Sequence, residues 1–260
     1  MGRLGYERYC TEVVAEAARF ADTVREADPA RRVPTCPDWT LQQLTAHIGQ
    51  AHRWVATIVD RRSTEPVHLP DIADLAMPGS GADRAGWLLD GAHALSAALR
   101  EAGEDTRVWT WAVEQHTGFW ARRMVHETVV HRVDAELATG GGNEIAPDLA
   151  ADGVSEWLDI LSLPTVPPDA PDLMDLLREG PTLHFHATDG DLGAAGEWMV
   201  GGGPSGVVWE HGHGKGDVAL RGPAADLLLV LARRLPVEES RAQVLGDATL
   251  LSRWLQHTSF

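Results

Sequence analysis

The sequence predicts an α+β chain of two domains, a helical bundle followed by a small domain of strands and helices. Three observations carry this. Apolar residues recur at helical spacing from Tyr6 to about Leu161. Pro164-Thr-Val-Pro-Pro-Asp-Ala-Pro171 then places four prolines in eight residues, a stiff extended spacer. From Thr182 onward the pattern alternates in short runs bounded by glycine, as half-buried strands do. The expected division is a bundle over 1–163, a linker over 164–175 and a C-terminal domain over 176–260.

The first helix runs from about Tyr6 to Asp28, with Cys10, Val13, Val14, Ala17, Phe20 and Val24 inward, and Asp28-Pro29 ends it. Residues 31–38 hold two prolines and read as a stiff extended loop. Thr40 and Gln43 have the spacing of a capping box, so a second helix starts there. Its stripe is Leu44, His47, Ile48, Ala51, Val55 and Ile58. Residues 62–82 are loop-like, and a loop this long is commonly functional or mobile. A third helix spans about Asp83 to Ala102, with Gly103 as its stop. The aromatic stretch Val108 to Trp120 either staples the next helix to the core or lines a pocket mouth. The fourth helix ends at Gly140-Gly-Gly-Asn143, and a fifth spans Pro147 to Leu161. Beyond the linker, the short runs at 182–186, 197–200, 206–211 and 217–221 read as a small, mostly antiparallel sheet. Helices over about 223–235 and 247–256 complete an α+β domain.

Composition removes several function classes. The formal net charge is −16, which repels phosphate backbones, so nucleic acid is not an expected partner. No apolar run reaches membrane-span length, and the N-terminus lacks the apolar core of a signal peptide. Two cysteines, Cys10 and Cys36, make no disulfide framework, and a reducing cytoplasmic setting is expected.

The fourth helix carries the chemistry. Met124, Glu127, His131, Asp134 and Ala138 fall on one stripe, while Arg122, Arg123, Arg132 and Glu136 point elsewhere and read as a solvated side. A carboxylate and an imidazole one turn apart on a core-facing stripe are costly to bury unpaired. Either they satisfy each other or they hold a divalent metal. This is not the zinc-protease pattern, because His126 and His131 are five apart and cannot share a face. A third ligand must come from elsewhere, and His47 is the candidate; otherwise it is a core histidine bonded to a neighbour. His52 lies about 140° round its helix from His47 and reads as packing or solvent. His184 and His186 alternate onto one strand face, but with no acidic partner at ligand spacing they read as an exposed surface.

Val33-Pro-Thr-Cys-Pro-Asp-Trp-Thr40 followed by Leu44-Thr-Ala-His-Ile-Gly49 resembles the N-terminal motif of the mycothiol-dependent maleylpyruvate isomerase family. Arg122 to Ala135 resembles its second motif. Leu183 to Gly190 and Val218 to Leu228 resemble its C-terminal domain. The resemblance implies a DinB-like metal-binding four-helix bundle joined to an α+β domain similar to a sterol-carrier domain. It places a divalent metal, zinc first, on His47, Glu127 and His131, the residues that stripe geometry singles out. It implies mycothiol as cofactor, with a metal-bound thiolate attacking a small-molecule electrophile in a cis/trans isomerisation. The two cysteines lie far from these ligands in sequence, and none is required as a protein nucleophile.

Two further residues receive roles. Asp134, one turn beyond His131, either orients that imidazole or bonds to backbone. Arg221, ahead of Arg233 and Arg234, is the candidate to bind a substrate carboxylate. Two alternatives stand beside the isomerase: a mycothiol S-transferase acting on other electrophiles, and a non-catalytic ligand-binding protein whose metal only staples the bundle. A monomer or homodimer is expected.

Overall fold

The fold is seen in a computed structural model that describes residues 3–163, 176–177, 180–203 and 206–258. The proline-rich segment expected as a linker, 164–175, lies outside the described residues. The chain divides into two units: Gly5–Glu144, and Ile145–Phe260 together with Met1–Leu4.

In the first unit, helix α1 spans Tyr6–Arg25, α2 Leu41–Asp60, α3 Gly81–Ala102 and α4 Thr117–Thr139. Helix α4 packs on α1 and α2, and α3 packs on the same two helices. Local chemistry sets the ends. Thr40 and Gln43 form the anticipated reciprocal cap, Thr40 Oγ1 accepting from Gln43 N at 3.3 Å and Gln43 Oε1 from Thr40 N at 2.9 Å. Ser80 caps α3, and Gly140 closes α4 with φ +79°, a left-handed conformation that suits glycine. Gly49 lets α2 and α3 approach closely, since a Cβ there would lie 2.1 Å from the Trp87 ring.

Two features of this unit depart from the sequence reading, and a third adds to it. The stretch read as a stiff loop forms a small antiparallel hairpin, β1 (Arg32–Val33) and β2 (Cys36–Thr40). Pro34 lies in its turn and Pro37 between paired positions, so neither proline occupies a pairing site. Second, α4 has no solvated side: Arg122, Arg123 and Arg132 are all buried. Arg132, fully buried, donates to Glu16 Oε2 at 2.8 Å, Glu136 Oε2 at 2.6 Å and the Glu144 carbonyl at 2.9 Å. Local partners make burial of the charge tolerable. Third, the 62–82 loop is tied down by two indoles, Trp54 Nε1 donating to Val67 O and Trp87 Nε1 to Asp74 O. Of the two roles open to the aromatic stretch, stapling is the observed one: Trp109 and Trp120 pack with Trp54 at ring separations of 5.4–6.2 Å.

The second unit holds α5 (Pro147–Leu161), a five-stranded sheet, α6 (Ala224–Leu231) and α7 (Ala248–His257). The strands are β3 (Leu183–Ala187), β4 (Glu197–Gly203), β5 (Gly206–His211), β6 (Val218–Gly222) and β7 (Gln243–Gly246). Their order is β5-β4-β3-β6-β7, antiparallel except for β3 with β6. Leu183, Phe185, Trp198, Val200, Val218 and Leu220 form the buried face. Helix α5, counted with the bundle from its sequence, belongs here: it packs on α6, and Trp198 Nε1 donates to its Ser155 hydroxyl at 2.9 Å. No described helix is long and apolar enough to cross a membrane.

Candidate metal centre

The helical stripe brings Glu127 and His131 onto one face of α4, and α2 presents His47 opposite. His47 Nε2 lies 2.9 Å and His131 Nε2 3.4 Å from the same oxygen, Glu127 Oε1. The three donor atoms fall within 4.8 Å of one another. Two imidazole nitrogens and a carboxylate oxygen suit a borderline divalent ion, and three protein donors leave a position open. The residues present therefore fit such a metal.

The surroundings orient each donor. Arg123, one turn before Glu127, donates to its other oxygen at 2.6 Å. Burial pushes the Glu127 carboxyl up, but Arg123 and the two imidazoles outweigh it and hold the group well below the usual carboxylate range. Asp134, fully buried, receives His131 Nδ1 at 2.7 Å. A carboxylate only accepts, so Nδ1 carries a proton towards Asp134, and without a metal Nε2 carries a second one towards Glu127. Burial lowers the His131 pKa, yet Asp134 and Glu127 outweigh this and raise it to about 9.

The hairpin supplies residues that sequence spacing did not connect to the site. Thr35 Oγ1 donates to Asp134 Oδ1 at 2.5 Å, and Cys36 Sγ lies 3.7 Å from Asp134 Oδ2. Cys36, far from Glu127 and His131 in sequence, is thus brought beside the centre by the hairpin. With His131 and Asp134, its thiol forms a second potential ligand group on the Nδ1 side. Trp39 stacks against His131 at 6.0 Å and tilts over His47 at 4.9 Å. A shallow groove of about 740 Å³ is lined by residues neighbouring these two, among them Arg32, Asp38, Gln43, Ala46 and Gln50.

His52 does not join the centre. It is fully buried on α2, bonds Thr128 Oγ1 at 2.8 Å, and burial pushes its pKa down to about 3. His126 packs edge-on to Tyr9. Arg221 stands on β6 in the second unit, exposed and in register with His186.

Comparison with known proteins decides the family. Residues 10–136 match the model for the mycothiol maleylpyruvate isomerase N-terminal domain, and residues 148–253 match the model for that enzyme's C-terminal domain. The chain belongs to the mycothiol-dependent maleylpyruvate isomerase family. Two solved structures, of the mycothiol-dependent maleylpyruvate isomerase and of a histidine-to-alanine mutant of it, share the fold of this family member. Each has a TM-score of 0.55 over 92% of this chain and 93% of that one, at 14% and 13% identity. No curated protein sequence matches it. The family's C-terminal model begins inside α5, in keeping with where α5 packs.

Proposed function

We propose that this chain is a mycothiol-dependent enzyme acting on a small electrophile, with maleylpyruvate-like cis/trans isomerisation as its reaction class. The carrying observation is the convergence of His47 Nε2 and His131 Nε2 on Glu127 Oε1 within a chain of this family. These three residues would hold a divalent metal, zinc by donor chemistry. Bound there, zinc lowers the pKa of a coordinating thiol and makes a thiolate available at neutral pH.

The remaining work falls to the protein. Asp134 holds the proton on His131 Nδ1, so that Nε2 is the nitrogen that would give its lone pair to a bound metal. Arg123 occupies the second Glu127 oxygen and aims the first. Trp39 covers one side of the imidazole pair and restricts water there. The polar lining of the adjoining groove offers donors and acceptors to a hydroxyl-rich cofactor. Arg221 is the proposed carboxylate-binding group for an acidic substrate. Two readings compete: S-transfer to other electrophiles, and a metal that only staples the bundle.

The test is metal content and mycothiol binding, by elemental analysis and calorimetry, on wild type and His47→Ala. The expected result is one metal fewer per chain in the variant and loss of metal-dependent thiol binding. Metal without thiol binding would leave a structural staple. A panel of electrophiles then separates isomerase from S-transferase.

A further inference from the structure

A second cluster lies on the C-terminal sheet, where sequence reading expected only an exposed strand face. His184 is in fact buried, and an acidic partner is present. His184 and His186 alternate onto one face of β3, and cross-strand pairing sets Glu197 of β4 directly opposite His186. His213 reaches the same point from the segment after β5. Three imidazole nitrogens converge on one oxygen, Glu197 Oε2: His213 Nδ1 at 2.6 Å, His184 Nε2 at 3.1 Å and His186 Nδ1 at 3.5 Å.

We propose that His184, His186, Glu197 and His213 form a zinc site separate from the bundle centre. Such an oxygen has about two lone pairs for these three nitrogens, so proton-mediated bonding leaves the cluster crowded. A cation accepting a lone pair from each group removes that conflict. The spacing is suitable: donors bonded at about 2.0–2.1 Å in a tetrahedron stand roughly 3.4 Å apart. Three imidazoles and a carboxylate select zinc, nickel or copper over calcium or magnesium. Four protein donors make a closed, structural site. Its effect is to tie the 212–217 segment to β3 and β4 and to fix His186, the neighbour of Arg221 in the sheet.

The experiment titrates Zn²⁺ alone into metal-stripped full-length protein, with stoichiometry read by calorimetry and elemental analysis. The variants are His47→Ala, His186→Ala/His213→Ala and their combination. Two zinc ions per chain are expected for wild type, one for either variant and none for the combination. Zinc is also expected to raise the Tm of His47→Ala. The His213 side chain is 75% exposed, so His213→Ala alone preserves the fold and is expected to weaken zinc binding at this site at least tenfold. An unchanged stoichiometry in the His186/His213 variant overturns the proposal, as does binding in His47→Ala weaker than about 10 μM. If wild type takes one ion that is lost only in His47→Ala, this site fails while the bundle centre stands. If that ion is lost only in the His186/His213 variant, the reverse holds.

Discussion

Asp134→Asn changes one atom and reverses the logic of the bundle centre. Asp134 receives Thr35 Oγ1 on Oδ1 and His131 Nδ1 on Oδ2. An asparagine offers one oxygen and one NH₂. If the oxygen stays with Thr35, the NH₂ faces His131 Nδ1, which must then accept. The remaining ring proton then sits on Nε2, and the lone pair that this nitrogen would give a metal is lost. If the amide turns round, His131 keeps its tautomer but loses the charge that favours its donor bond. Either way zinc affinity is expected to fall about 10–100-fold, roughly 1.4–2.7 kcal/mol, as for other groups that orient a metal-bound histidine. The assay is chelator competition in the His186→Ala/His213→Ala background, so that the bundle centre is read by itself. Far-UV circular dichroism and Tm of the metal-free protein separate lost orientation from lost folding. Affinity within twofold of the parent, in a folded variant, would refute the reasoning.

Arg132→Ala leaves Glu16 and Glu136 only the half-exposed guanidinium of Arg19, and should cost up to about 3–5 kcal/mol in urea unfolding, against under 1 kcal/mol for an exposed ion pair. Stability of the metal-free protein should depend on the pH linkage of His131. Its folded pKa of about 9 exceeds the unfolded 6.5, so the stabilisation is complete below 6.5 and lost as pH rises through 9. The loss amounts to about 3 kcal/mol, and a Tm that stays flat across that window contradicts it. Arg221→Ala, at an exposed position, should leave Tm unchanged and lower kcat/KM for an acidic substrate; intact kcat/KM removes Arg221 from the mechanism.

How far the sequence could be read depended on whether a contact follows from spacing. Glu127, His131 and Asp134 share a face because residues three and four apart always do, and His47 could be chosen because it interrupts an apolar stripe. Thr35, Cys36 and Trp39 could not be placed, since nothing in 31–40 tells how a proline-containing segment folds back over two helices. Arg132 was misread because charge in a helix usually means solvent, whereas here its partners come from α1 and from one turn along α4. The C-terminal histidines were missed because their acidic partner, Glu197, is set by strand register. The break before α5 is likewise invisible to periodicity, which reads a helix but not the neighbour it packs on.

The enclosure of α4 also constrains how this protein can diverge. A helix with an open side tolerates drift there while its ligands stay put, but here Arg122, Arg123 and Arg132 are as confined as Met124 and Val133. Each arginine binds its descendants to a matching change elsewhere. If the chain is the proposed enzyme, change in substrate choice is expected in segments outside α4, such as the hairpin and the 62–82 loop. Both lie off the helix that carries the candidate ligands Glu127 and His131, and the hairpin packs Val33 into the bundle's core while placing Thr35, Cys36 and Trp39 beside the centre.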